Sequence, residues 1–225
     1  MILFQEVVSS AFRIVYDRRD TLVRALSWPL GGLILIGLFE LTKLGAILSF
    51  FTGVLSLVIQ VIFAITTHRI VLLGEDSVSK WGITAWTTRE TYFLLHIIGL
   101  ALMCIPPSML IMFFPGNVLA TIVVALLVCW IFSRFSLVFP GIAVDKGITF
   151  QLSWQLSQNY QLLMFLVVIL FPLLLAIPII LLSFIPYSNF LVSIFSAIIL
   201  VFEVAALSVA YKLITSEVYE RDDLN

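Results

Sequence analysis

Charge is scarce in this chain: only 11% of its 225 residues are Asp, Glu, Lys or Arg, about half the share usual in a soluble domain. Without a dense polar surface, a chain that is 62% hydrophobic, with a mean hydropathy of +1.17, cannot hide its apolar area in one water-soluble core. Cysteine is nearly absent. Cys104 and Cys129 each lie inside an apolar run, which excludes a disulfide framework and gives no metal-ligand or redox spacing. With His68 and His96 as the only histidines, no histidine-rich metal centre is expected. A net charge of −1 argues against nucleic acid as a partner. The opening residues carry Glu6 and lack the basic start and small-residue cleavage site of a signal peptide, so they are expected to be retained. His-Glu-x-x-His, Gly-x-x-x-x-Gly-Lys-Ser/Thr and Gly-x-Ser-x-Gly patterns are all missing. No enzyme activity and no cofactor are therefore expected.

What the chain has in abundance is long apolar runs. Six stretches approach the roughly 20 residues needed to cross a bilayer: 25–41, 46–72, 92–114, 118–139, 162–182 and 190–213. The first is the shortest and ends beside Glu40 and Lys43, which read as a surface pair. Pro106-Pro107, Pro172 and Pro178 should break or kink their helices. The fold class expected is an all-α membrane bundle of six transmembrane helices. Phe114-Pro115-Gly116-Asn117 and 185–189 make tight turns on one side, whereas 74–91 and 140–161 form longer loops on the other. Eleven of the twelve Lys and Arg residues fall on the loop side, with Lys43 alone on the turn side. The positive-inside rule then places both termini in the cytoplasm. Residues 1–24 read as an amphipathic cytoplasmic segment, 25–213 as the transmembrane domain and 214–225 as an acidic cytoplasmic tail.

An offset of 65 residues aligns Arg69 with Arg134 and Gly82-Ile83-Thr84 with Gly147-Ile148-Thr149. A further shift of three aligns Trp86 with Trp154 and Tyr92 with Tyr160. The pattern reads as a parallel repeat of a helix–loop–helix unit, about 67–95 and 132–163. Thr84 and Thr149 are placed to N-cap short helices on the inner membrane surface. The second segment, 148–156, also alternates apolar and polar, as a strand would. A helix is favoured because a strand edge near lipid leaves backbone groups unsatisfied. In residues 1–19, Val7, Val8, Ala11, Phe12, Val15 and Tyr16 make a helical stripe, with a plain extension as the simpler reading.

Polar groups inside spans cost about 2.5–3.5 kcal/mol each at mid-bilayer. At 1.5 Å per residue, Gln60, Arg134 and Glu203 lie roughly 20–24 Å from the turn side, and His96 roughly 6–9 Å from the loop side. All four share one depth, which raises a polar chamber open to the cytoplasm, with Arg134 or His96 holding an anionic headgroup. Against it stand an Arg134–Glu203 ion pair, snorkelling of Arg134, and bonds from His96 and Gln60 to backbone carbonyls. For Arg69, a place at the membrane boundary is explanation enough.

The segments Thr67-His68-Arg69-Ile70-Val71-Leu72-Leu73-Gly74-Glu75 and Arg134-Phe135-Ser136-Leu137-Val138-Phe139-Pro140-Gly141-Ile142-Ala143-Val144-Asp145, with Ser153-Trp154-Gln155-Leu156-Ser157, resemble stretches of uncharacterised bacterial six-span proteins. These are YciC-like inner-membrane proteins and the membrane region fused to some glycerophosphodiester phosphodiesterases. The resemblance implies a bacterial inner-membrane protein, with His68, Arg69, Pro140, Asp145 and Trp154 as positions of interest. The phosphodiesterase domain is missing, so its activity is not implied. The expectation is a non-catalytic integral membrane protein that handles lipid or serves as a membrane-embedded subunit. Membrane lipids, a second copy or another membrane protein are the expected partners. The alternative is a small transporter or channel-like carrier.

Overall fold

The computed structural model describes residues 2–40, 45–82, 85–185 and 189–222. Lys43, Thr84 and the turn residues Pro186-Tyr187-Ser188 lie outside them, as do the expectations placed on those positions. The described residues contain helices and no strand. Six helices are long and apolar enough to span a membrane, Arg19–Phe39, Ala46–Leu73, Thr88–Phe113, Val118–Ala143, Gln158–Ser183 and Leu191–Glu217. The protein is an integral membrane protein of the multi-pass class.

In chain order, α1 is Ile2–Asp17 and α2 is Arg19–Glu40, followed by α3 (Ala46–Leu73), α4 (Thr88–Met109) and α5 (Val118–Phe135). The short α6 (Val138–Ala143) and α7 (Phe150–Leu156) fill the second loop. The fifth span is built of α8 (Gln161–Phe165), a π-helical segment Leu166–Leu170 and α9 (Phe171–Ser183), and α10 (Asn189–Asp222) makes the sixth. The first span starts at Arg19, earlier than the apolar pattern implies, because Arg19 to Arg24 form a polar helical turn before the membrane segment. The last helix likewise runs on to Asp222, so much of the acidic tail is helical, with Ile214 and Thr215 buried.

Proline shapes two spans differently. Pro172 offers no N–H, and its ring would strike the carbonyl four residues back. The chain widens there: the Phe171 N–H reaches Leu166 O, a bond of π-helical span. Pro106-Pro107 do not break α4, which continues to Met109 before a 3₁₀ turn at Leu110–Phe113. Starts are set by caps. Asn117 accepts from the Ala120 N–H at 3.0 Å, and Thr87 with Glu90 forms a capping box at α4.

Around the bundle axis α3, α4, α5, the fifth span and α10 pack in a closed ring, with α2 outside against α3 and α10. Helix α6 is buried along its length and packs beneath α3, α4 and α10. Helix α1 lies on α10 through Val7, Ala11 and Val15. Phe12 and Tyr16, also in the sequence stripe, stay largely exposed, although Phe12 still meets Phe202 with ring centroids 4.6 Å apart. The buried stripe is therefore the narrow i, i+4 row.

Burial is lopsided along the membrane normal. On α3 no residue before Ile59 is buried, and on α4 none after Leu100. The turn-side halves instead expose Phe50, Phe51, Met112, Phe113, Leu173 and Phe184, surface that suits lipid tails.

Candidate functional site

A cavity of about 350 Å³ occupies the centre of the ring. Its walls are mainly apolar, drawn from all five ring helices, among them Leu57, Ala64, Leu100, Phe132, Val168 and Leu200. Four polar side chains interrupt them: Gln60 and His68 of α3, Ser136 after α5, and Glu203 of α10. Towards the loop side the cavity is floored by His68, Phe93, Ser136 and Phe139, all buried.

Three of the four polar groups are held by their own helix or its neighbour. Gln60 Nε2 donates to Ser56 Oγ at 3.1 Å, and Ser136 Oγ donates to Ser133 O at 3.0 Å. His68 Nδ1 lies 2.7 Å from Ser208 Oγ. With the Ser208 hydroxyl hydrogen assigned to Val204 O, 2.8 Å away, the oxygen accepts from His68. The imidazole is thus the Nδ1–H tautomer, and Nε2 keeps a free lone pair. Glu203 makes no ion pair or hydrogen bond with a described residue.

Of the four residues expected at one depth, Gln60 and Glu203 both line the cavity and the other two do not. His96 faces outward, its Nδ1 2.8 Å from Tyr92 O and its ring 4.8 Å from that of Phe150. Arg134 is the largest fully buried side chain and points away from the cavity. Its guanidinium stacks 4.2 Å over the Trp154 indole, and Nη2 donates to Trp154 O at 2.9 Å. Nε and Nη1 have no hydrogen-bond partner among the described residues, and the Arg134–Glu203 ion pair is not formed. Helix α7, started by Thr149 accepting from the Leu152 N–H at 3.3 Å, brings Trp154 to α5. Ser153 and Ser157 lock it there, both donating to Arg134 O at 3.0 Å. The helical reading of 148–156 is the one realised.

A second polar cluster binds the two loops to each other. Arg69 donates to Ser77 O at 3.1 Å, to Ala143 O at 3.0 Å and to Asp145 Oδ2 at 2.9 Å. Arg89 reaches the same Asp145 oxygen at 3.2 Å and pairs with Glu90 at 3.0 Å. Asp145 holds φ +61°, a left-handed conformation that Asp tolerates better than most residues. Arg69 is therefore a clamp and more than a boundary charge. Arg18 caps the far end of α3 by donating to Ile70 O and, at 3.3 Å, to Val71 O. Pro140 sits within buried α6.

Sequence reasoning missed Ser208, Arg89 and Glu90. The Thr87-x-x-Glu90 capping pattern was a usable signal for the last; nothing in sequence marks Ser208 as the partner of His68. Among the described residues no three His, Cys, Asp or Glu side chains stand close enough to hold a metal ion. Cys104 and Cys129 are unpaired thiols. No family model, curated protein or solved structure matches the chain.

Proposed function

We propose that this protein binds an amphipathic, lipid-like molecule within the bundle and acts in lipid handling, without catalysis, in the cytoplasmic membrane of a bacterium. The observation that carries the reading is the 350 Å³ cavity, an apolar chamber with polar groups at a few positions only, which is the usual make-up of a small-molecule site. A carboxyl group inside a span is costly and marks a functional site by default, and Glu203 stands on that wall. The exposed turn-side halves of α3, α4 and α9 give lipid a way in from the side. Both termini and both long loops are assigned to the cytoplasm on the strength of the eleven basic residues there. A parallel repeat of the two loop units is supported by Gly82 and Gly147, which both take left-handed φ, +65° and +58°.

The carrier alternative uses the same polar groups, but α6 and the buried floor would have to move for the cavity to face the cytoplasm. Saturable binding of a photoreactive lipid analogue to protein in lipid nanodiscs tests the main reading. Labelling is expected on α3 and α10 peptides lining the cavity. An Ala64→Phe variant that keeps its thermal midpoint should lose that labelling. Unchanged labelling in the filled variant would overturn the proposal.

A further inference from the structure

The polar lining of the cavity has one chemical sense. His68 has turned its ring hydrogen to Ser208, Ser136 has given its hydroxyl hydrogen to Ser133 O, and Gln60 directs an amide hydrogen to Ser56. What these groups offer the cavity is His68 Nε2, the Ser136 lone pairs and the Gln60 carbonyl with its second amide hydrogen, together with the Glu203 carboxyl group. Acceptors dominate, and the lining carries one carboxyl group, that of Glu203. Among the described residues no Lys or Arg lines the cavity: Arg134 is committed to Trp154, and Arg19 stands over Tyr16 beside a separate groove between α2 and α10.

Spacing along the helices arranges these acceptors in a column. Ser208, which marks the level of His68, is five residues beyond Glu203, roughly 7–8 Å along α10. Gln60 stands eight residues from His68, roughly 12 Å along α3. The apolar wall surrounds this column and reaches Leu57 beyond it, so an occupant that satisfies the acceptors must also be largely hydrocarbon. A phosphate or sulfate head would meet lone pairs and a like charge. An ammonium head brings the missing hydrogens and the missing counter-charge together.

We infer that the cavity is a site for lipophilic cations, amphipaths whose hydrogen-bond-donating ammonium head lies at Glu203, in the middle of the acceptor column, while the hydrocarbon body fills the apolar chamber. This rests on the cavity being a ligand site, and its own content is the charge and donor selectivity.

The test is photolabelling of the full chain in phosphatidylcholine nanodiscs with a diazirine-bearing dodecylammonium. Unlabelled dodecylammonium, dodecanol and dodecyl sulfate serve as competitors, and protein-free discs correct for partition. Ammonium is expected to compete at least tenfold better than the alcohol, and sulfate not at all. Glu203→Gln should abolish the preference for ammonium over alcohol while leaving alcohol competition within twofold, and Glu203→Asp should restore part of the preference. Equal competition by ammonium and alcohol, or a preference untouched by Glu203→Gln, would overturn the selectivity and leave the cavity as a lipid site. Failure of every probe to label the cavity peptides of wild type would overturn both.

Discussion

At the scale of single residues, the separation of Arg134 from Glu203 makes a sharp prediction. Groups that share no partner contribute additively to stability, to within about 0.3–0.5 kcal/mol. A double-mutant cycle of Arg134→Met and Glu203→Leu, read by unfolding in detergent, should therefore show coupling below that level. Coupling of 2 kcal/mol or more would mean that the two meet after all. Arg134→Met alone should cost little, since a guanidinium with two unbonded nitrogens pays for burial that a methionine stacked on Trp154 avoids. The cluster at Asp145 behaves differently. Asp145→Ala removes the oxygen shared by Arg69 and Arg89 and leaves a residue that resists positive φ. Hydrogen exchange in both loops should quicken, with a loss of about 1–2 kcal/mol. These contrasts explain what the sequence could and could not convey. Depth follows from counting residues along a helix, and two of the residues singled out that way, Gln60 and Glu203, line one cavity. Azimuth turns by about 100° per residue and depends on how neighbouring helices rotate. That is why Arg134 and His96 fell outside the cavity, and why His68 entered it from a position where only a family-like pattern had drawn notice.

Among the elements, the loops carry more specific structure than their length suggests. Gly82 has φ +65°, and a Cβ there would lie 1.9 Å from the carbonyl oxygen of Ala25; its own carbonyl accepts from Trp28 Nε1 at 3.2 Å. Gly82→Ala is expected to lower stability by about 2 kcal/mol or more and to release the first loop from α2, a change that Trp28 fluorescence would register. Helix α1 offers a parallel test. Ala11 is fully buried against the bundle, so Ala11→Asp places an unpaired charge in that seam. Trypsin should then cut at Arg13 or Arg18 while the six spans remain inserted; continued resistance would show that α1 is held by something other than this face. Helix existence was plain from apolar runs, and the caps at Asn117 and Thr149 are ordinary sequence signals. The π-helical segment was not legible: proline announces a disturbance, but whether the helix kinks or widens is settled by packing around it.

For the whole molecule, the distribution of basic residues predicts a topology that labelling can check. In a Cys104→Ser, Cys129→Ser background, a single cysteine at position 116 should react with a membrane-impermeant maleimide from the outside of intact cells. Cysteines at 76 or 146 should react only after permeabilisation, and the reverse pattern would invert the assignment. The lopsided burial described for the ring has a consequence for how the protein comes apart. Interhelical contacts concentrate where α6, α7, α1 and the arginine clamps gather, so resistance to opening rises steeply towards that end. The hairpin tips should breathe on short timescales while the clamped end survives to global unfolding. A pulling force applied at the 116 tip would then meet a soft, gradual extraction first and a single abrupt rupture last.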